Sequence, residues 1–93
     1  MKEAPEYLVC YDISQNKERT RVERILKGYG FRVQKSVFEC RLTRSSKTGL
    51  IVQLERLLIK SGSIKIYRIY GGANSVVIGQ PMLDPDDGFA YAF

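Results

Sequence analysis

The chain has 93 residues, of which 15 are Lys or Arg, 10 are Asp or Glu and two are Cys, and it contains neither His nor Trp. This length accommodates one domain, and a content of 44% hydrophobic and 27% charged residues excludes wholesale disorder. Without His, Ser–His–Asp and Cys–His nucleophile systems and His-ligated zinc are excluded within one chain. There is no apolar run long enough to span a membrane and no secretory signal, so we expect a soluble, cytoplasmic protein without a membrane partner.

The two cysteines, Cys10 and Cys40, are thirty residues apart, which is not the spacing of a zinc ribbon. We expect buried thiols in a reducing compartment, with a disulfide as the alternative.

The charge is spread unevenly. Residues 1–70 hold all 15 cations and carry a net charge of +8, whereas residues 71–93 hold three acids and no cation. Ten of the cations lie between Lys17 and Lys47. Such a concentration attracts a polyanion, of which nucleic acid is the commonest, although a solvated basic face without a ligand is the alternative.

The first predicted element is a strand over residues 7–13, which is apolar on both faces, as a central strand would be, and carries Asp12 as its only charge. Ser14 to Asn16 then supply turn and N-cap chemistry for a helix over about residues 17–27. Arg19 falls at the margin of the apolar stripe, where it can lean toward the sheet. The stripe comprises Val22, Ile25, Leu26 and Tyr29, and the opposite side carries Lys17, Arg21 and Arg24.

Residues 31–42 are extended but exceed the usual length of one strand, so we predict a tight bend or bulge at Lys35 and Ser36. Residues 43–49 are expected to form a polar basic loop. A second amphipathic helix then carries Leu50, Leu54, Leu57 and Leu58 and ends near residues 61–62. Strands are predicted over residues 63–70 and 76–78, before an acidic and aromatic tail over residues 82–93.

This order favours an α+β, ferredoxin-like β-α-β-β-α-β domain over residues 1–81, with the strand at 76–78 added to it and both helices on one face of an antiparallel sheet. The other face is then open. We expect Tyr11, Phe38 and aliphatic side chains of the strands to lie on this open face, where a second copy of the chain would cover them.

Four segments carry a family resemblance: YLVCYDIS at 7–14, RTRV at 19–22, GFRVQKSVFEC at 30–40 and IYRI at 66–69. Together, in this order and register, they resemble the CRISPR-associated protein two family, the small subunit of the spacer-acquisition machinery. The resemblance runs from about residue 7 to residue 79. It implies a ferredoxin-like homodimer in which the last strand, here Val76, Val77 and Ile78, crosses to extend the partner's sheet.

The resemblance also implies an activity and partners. Several members of the family are Mg²⁺-dependent endonucleases on single-stranded RNA or double-stranded DNA, and Mn²⁺ is the alternative ion. The dimer bridges two dimers of the CRISPR integrase and holds the incoming DNA, a scaffold role that does not need cleavage in some members. For this chain, a non-catalytic scaffold function is therefore the alternative to a nuclease function.

Residue by residue, the family's metal carboxylate falls on Asp12, and the aromatic residue before it is Tyr11. Position 35 is often aromatic in relatives and is Lys35 here, which adds a charge that can reach phosphate. The resemblance and the basic pattern together nominate a nucleic-acid-binding set that comprises Arg19, Arg21, Arg24, Arg32, Lys35 and Ser36.

Asp12 also has an interpretation from its chemistry alone. Mg²⁺ prefers oxygen ligands and retains several waters, so that one or two carboxylates suffice to hold it. One chain offers a single acid at this strand end, whereas a two-fold dimer would supply two. The alternative is a strand-end Asp that caps the following helix.

The other candidates have structural alternatives as well. Tyr11 either positions a phosphate or packs in the sheet, and Arg19 and Arg21 either bind the backbone or form a solvated face. Arg32 and Ser36 either orient substrate or satisfy a local bulge, and Phe38 belongs to the core or the dimer interface. A generic RNA-binding domain is less well supported because no RNP-type aromatic motif is present.

Overall fold

The computed structural model describes residues 4–70, 76, 78 and 79. Their secondary structure follows the predicted order of strands and helices. The elements are β1 (Glu6–Ile13), α1 (Asn16–Lys27), β2 (Gly30–Gln34), β3 (Val37–Arg41), α2 (Arg44–Glu55) and β4 (Gly62–Ile69).

The four strands form one antiparallel sheet in the order β2-β3-β1-β4. The apolar run of β1 therefore lies centrally, hydrogen-bonded to β3 on one side and to β4 on the other. This is the α+β, ferredoxin-like arrangement that the sequence predicts, with two split β-α-β units interlocked in one sheet.

The core lies between the helices and one face of the sheet. Alternate residues of β1, beginning with Tyr7, are buried, and Val9 pairs with Phe38 on β3 and with Ile66 on β4. From the helices, Val22 and Leu26 of α1 are completely buried against these strands. Strand alternation thus assigns every second side chain of β1 to this covered face.

The predicted break within residues 31–42 is confirmed. β2 ends at Gln34, β3 begins at Val37, and Lys35 and Ser36 form the turn between them. The pairing also shifts between Arg32 and Gln34, which marks a bulge.

The second helix differs from its prediction. The polar pattern predicts a loop over residues 43–49, but α2 begins at Arg44 and Thr43 is its N-cap, accepting a hydrogen bond of 3.1 Å from the backbone N–H of Ser46. The helix also ends at Glu55 rather than near residue 61. Leu58 beyond it is 73% exposed and has a φ of 53°, a left-handed conformation that no helix continues through.

Glycine is required where β4 passes the end of β1. A Cβ at Gly62 would lie 1.7 Å from the backbone oxygen of Asp12, so that no larger residue fits this pairing. The close contact holds the backbone of Asp12 against β4.

Of the predicted late strand, the structure describes only the two ends. Val76 and Ile78 lie outside any strand and are 81% and 93% exposed, and Val77 lies outside the described residues. A strand needs a hydrogen-bonded neighbour, and the prediction assigned that neighbour to a second copy. The tail predicted over residues 82–93 also lies outside the described residues.

Both cysteines are free thiols, as predicted, but the predicted burial holds for Cys40 alone, because Cys10 is only half-buried. Burial raises the pKa of the Cys40 thiol to about 11, so it is a packing residue rather than a nucleophile. None of the described helices is long and apolar enough to cross a membrane.

Candidate functional site

Tyr11 and Asp12 are neighbours on β1 but lie on opposite faces of the sheet. Tyr11 is buried beneath the helices, whereas Asp12 is exposed on the face that the helices leave uncovered. The expectation that Tyr11 and Phe38 lie on the open face was wrong, because both belong to the covered core. The strand pairing and alternation assign to the open face Leu8, Cys10, Asp12, Val37, Glu39, Ser63, Lys65, Tyr67 and Ile69.

Asp12 occupies the end of the central strand, where it pairs with Ser63 of β4. The alternative that it caps α1 is wrong, because the N-cap is Gln15 and makes no side-chain capping bond. Its carboxylate is therefore exposed without a role in helix capping. This is the position in which an acidic side chain can take an external ligand.

One chain does not complete a metal site by itself. Within residues 4–70 and the three described positions beyond them, no three His, Cys, Asp or Glu side chains come together in a group that could hold an ion. Asp12 offers the oxygen donor that Mg²⁺ prefers, but it offers it singly. The donor chemistry fits a magnesium ion, and the number of donors calls for a second carboxylate.

Tyr11 makes structural contacts. Its side chain is 4% exposed, and its hydroxyl oxygen lies 2.7 Å from Glu23 Oε2 and 3.1 Å from the backbone oxygen of Lys35, of which one accepts its proton. Burial raises the pKa of the Tyr11 phenol above its ordinary value, and the hydrogen bond to Glu23 raises it further. These contacts support the packing alternative for Tyr11.

Arg32 belongs to the same network, in which its side chain and that of Glu23 are half-buried. Its guanidinium lies 3.4 Å from Glu23 Oε1, donates a 3.0 Å hydrogen bond to the Lys35 backbone oxygen, and lies 5.3 Å from the centre of the Phe38 ring. The backbone oxygen of Ser36 accepts a hydrogen bond of 3.1 Å from the N–H of Tyr11. The network therefore ties the β2–β3 turn to β1 and α1. Of the two residues that form this turn, Lys35 is exposed and Ser36 is half-buried.

Arg19 leans toward the sheet, as its place beside the apolar stripe predicts. It donates a hydrogen bond of 2.7 Å to the backbone oxygen of Ile13 and another to the side chain of Asn16. It therefore fixes the connection between β1 and α1, one residue after Asp12.

The exposed side of α1 carries the other predicted basic residues. Lys17, Arg21 and Arg24 are exposed and line a shallow surface groove of about 280 Å³ together with Asn16 and Thr20. A groove with three cations and no acid among its lining residues suits the phosphates of a nucleic acid.

Glu18 was missed by the sequence reasoning. This buried carboxylate accepts hydrogen bonds from the backbone N–H groups of Lys60 and Ser61, each 2.9 Å long, and one of 2.6 Å from the Ser61 hydroxyl. The Ser61 hydroxyl bond, with the backbone bonds after it, holds the pKa of Glu18 below its ordinary value.

The same loop also holds the end of β1. The backbone N–H of Ser14 donates to the Ser61 oxygen at 3.1 Å, and that of Gln15 donates to the Ser61 hydroxyl at 3.0 Å. Glu18, α1 and the approach to β4 therefore form one hydrogen-bonded unit behind Asp12. No local pattern in the sequence indicates these hydrogen bonds, since Lys60 and Ser61 are 42 and 43 residues from Glu18.

The sheet order and the two helices on one face define the class as a ferredoxin-like α+β domain with an open sheet face. Residues 6–75 match the family model described as CRISPR associated protein Cas2. The chain belongs to this family, which confirms the resemblance drawn from its sequence.

Relatives and solved structures agree with this assignment. The chain is 38% identical over 84 residues to the CRISPR-associated endoribonuclease Cas2 of Mycobacterium tuberculosis, covering 90% of this chain and 74% of the relative. It is 36% identical over 74 residues to the CRISPR-associated endonuclease Cas2 2 of Thermus thermophilus, covering 78% of this chain and 82% of the relative.

Among solved structures, a hypothetical protein from Thermus thermophilus superposes with a TM-score of 0.77 at 34% identity, covering 86% of this chain and 96% of the other. A chain of a partial Cas6-RT-Cas1–Cas2 complex superposes with a TM-score of 0.71 at 30% identity, covering 86% and 98%.

Proposed function

We propose that this protein acts in CRISPR spacer acquisition as a homodimer that binds nucleic acid and cleaves phosphodiester bonds with Mg²⁺, or Mn²⁺, held by Asp12. Its substrate is single-stranded RNA, duplex DNA or both. The observation that carries the proposal is the exposed carboxylate of Asp12 at the end of the central strand, on the open face of the sheet. Membership of the family and the nuclease names of the relatives support it.

The open face of the sheet supports the proposed dimer. Leu8, Val37 and Ile69 are only half-buried there, and Tyr67 is 51% exposed, so that apolar surface remains in contact with water in the single chain. A second copy would bury it and would bring a second Asp12 to the same interface, because a two-fold axis repeats every residue.

The metal would be held by the pair of Asp12 carboxylates. Two facing carboxylates repel each other when both are ionised, and a divalent cation relieves that repulsion. When bound, Mg²⁺ polarises the scissile phosphate and activates a water. This chemistry suits a chain without histidine.

The chain's own residues bind and orient the substrate. Arg21, Lys17 and Arg24 on the exposed side of α1 attract phosphates, and Lys35 extends from the β2–β3 turn. Arg19, Arg32 and Ser36 act indirectly: Arg19 fixes the backbone after Asp12, while Arg32 and Ser36 hold the turn that carries Lys35.

The cleavage of labelled RNA and duplex DNA by Asp12→Asn and wild-type protein tests the proposal. In the homodimer, Asp12→Asn removes both carboxylates of the pair. The Mg²⁺-dependent rate is therefore expected to fall by at least about 100-fold, because the metal then has no carboxylate ligand from the pair. Circular dichroism should show an unchanged fold because the side chain is exposed in the single chain. Sedimentation should show a dimer at least as stable as the wild type, because Asp12→Asn removes the repulsion between two facing carboxylates.

Glu55→Gln is the matched control, since it removes one exposed carboxylate at the end of α2, far along the chain from the strand end. It should cleave as the wild type does. If Asp12→Asn protein also cleaves at the wild-type rate, the activity does not belong to this carboxylate and the nuclease proposal is wrong.

A non-catalytic scaffold is the second candidate, favoured by the similarity to a chain in a Cas1–Cas2 complex. In this function the homodimer bridges dimers of the integrase subunit and holds the incoming DNA through phosphate contacts, with residues 82–93 as the docking segment. Asp12→Asn protein that supports spacer integration in full, together with wild-type protein that shows no Mg²⁺-dependent cleavage, would select this candidate over the nuclease.

A further inference from the structure

A second cluster of cations and aromatic rings lies at the other end of β1. The Lys47 ammonium lies 5.0 Å from the centre of the Tyr7 ring, and the Arg68 guanidinium lies 5.8 Å from the same ring. Arg68 also lies 4.8 Å from the centre of the Tyr70 ring. We call these four residues, Tyr7, Lys47, Arg68 and Tyr70, the Tyr70 corner.

The Tyr70 corner is separate from the site at Asp12. Tyr7 pairs with Arg68 in the β1–β4 register, whereas Asp12 pairs with Ser63 at the opposite end of the same two strands. Five residues of strand separate the two positions, which corresponds to about 17 Å. Tyr7 also belongs to the covered face and Asp12 to the open face.

The corner has a rigid base and an exposed edge. Tyr7 is 7% exposed, so its ring is fixed in the core and holds the two cations over it. Tyr70 is 80% exposed, and its ring therefore presents a large aromatic surface to solvent beside the Arg68 guanidinium. An exposed aromatic ring offers a flat face on which a base can stack.

The charge around the corner is positive. Lys47 lies in the first turn of α2, which has no acidic residue, and the exposed Arg44 begins that helix, whose N-terminal end adds to the positive potential. Glu6, the described acid nearest to Tyr7 along the chain, belongs to the other face by strand alternation and lies 3.9 Å from Arg41. The charge of the corner therefore calls for an anionic ligand.

We propose that the Tyr70 corner binds a single-stranded segment of nucleic acid, with Lys47 and Arg68 contacting phosphates and the exposed Tyr70 ring stacking on a base. Rigid cations beside an open aromatic ring are the arrangement by which proteins hold single strands. This proposal deepens the nucleic-acid binding of the proposed function and adds a contact independent of cleavage at Asp12.

The exposed ring is what selects a single strand. In a duplex the faces of the bases are covered by their neighbours, so that a tyrosine side chain has no base face on which to stack. An acidic peptide would be attracted by Lys47 and Arg68 but would gain little from the aromatic surface. The effect of Tyr70 on binding affinity therefore distinguishes a single strand from a duplex and from an acidic peptide.

Binding of a fluorescein-labelled twelve-nucleotide oligodeoxythymidine, followed by anisotropy in EDTA over a range of salt concentrations, tests the proposal. Tyr70→Leu removes the stacking ring but no charge, so it should lower the affinity about tenfold without changing the salt dependence. Tyr70→Phe keeps the ring, so its affinity should stay within about twofold of wild type. Arg68→Gln should lower the affinity and reduce the salt slope by about 0.7.

Lys60→Gln is the charge-matched control, because this exposed lysine precedes β4 at its Asp12 end, and its affinity should stay within about twofold of wild type. Circular dichroism should show that all four variants fold, since Tyr70 and Arg68 are exposed. Because EDTA excludes metal-dependent cleavage, the result is independent of whether Asp12 supports a nuclease.

Three outcomes would overturn the proposal. Tyr70→Leu and Arg68→Gln proteins that bind the oligonucleotide as tightly as wild type would remove the site. An equal loss of affinity for a twelve-base-pair duplex would show that the corner does not select single strands. Displacement of the oligonucleotide by polyglutamate as efficiently in the Tyr70→Leu variant as in wild type would assign it to acidic peptides.

Discussion

Tyr11 and Asp12 follow each other on the central strand, but their surroundings have almost nothing in common. Tyr11 is buried under α1 with its hydroxyl against Glu23, while Asp12 is exposed on the open face with Gly62 behind its backbone. One residue of strand alternation therefore separates a structural residue from one that can bind a ligand. One face of the sheet therefore forms the core, and the other presents the Asp12 carboxylate to solvent.

The covered face should respond most strongly to truncation. Phe38→Ala removes a completely buried ring and leaves a cavity beside Arg32 and Tyr11, so the free energy of unfolding should fall by about 3–5 kcal/mol. Tyr67→Ala on the open face, where the ring is 51% exposed, is the matched control and should cost under about 1 kcal/mol in the isolated chain.

Urea unfolding of both variants at a protein concentration low enough to keep the chain monomeric measures these losses. Equal losses for Phe38→Ala and Tyr67→Ala would contradict the division of the sheet into a covered and an open face.

The anchor behind Asp12 has a pH signature. Because hydrogen bonds lower the pKa of Glu18 in the folded state, its stabilising contribution is complete above its ordinary value of 4.5 and is lost as the pH falls through the lowered folded pKa. Glu18→Gln should therefore lower the Tm most above pH 4.5 and by progressively less as the pH falls below that value.

Thermal unfolding of both proteins across that pH range tests the sign. Groups common to both proteins, such as Glu39 with its raised pKa, cancel in the difference. A Tm difference that stays constant or grows on acidification would contradict the assignment of Glu18 as an ionised anchor.

Tyr11→Phe should have the smallest effect. Removing the hydroxyl loses its hydrogen bond at the Glu23–Arg32 network and should cost about 1 kcal/mol of stability. The cleavage rate should stay within about threefold of wild type, since the phenol does not reach the open face. A Tyr11→Phe protein that folds normally but no longer cleaves would return Tyr11 to the catalytic set and break the contrast with Asp12.

The sequence predicts most of the fold because its apolar spacing is local. Val22 and Leu26 indicated α1, and the length of the run over residues 31–42 required the break at Lys35 and Ser36. The start of α2 was missed because its first turn is polar. The signal was present in Thr43 and Ser46, which form a cap three residues apart.

The site is harder to predict because it depends on contacts between distant residues. β1 is apolar on both faces, so nothing local determines that Tyr11 is covered and Asp12 is open; the pairing with β3 and β4 and the helix packing decide it. For the same reason the buried role of Glu18 is invisible in its own segment, since its partners come from the loop before β4.

The central claim is that two Asp12 carboxylates, one from each subunit, act together. Subunit exchange between wild-type and Asp12→Asn protein, followed by cleavage assays at defined mixing ratios in Mg²⁺, tests it most directly. If both carboxylates are required, activity falls with the square of the wild-type fraction, to about a quarter at equal mixing. Activity that falls in proportion to the wild-type fraction, to about half at equal mixing, would contradict the claim, because each Asp12 would then work alone.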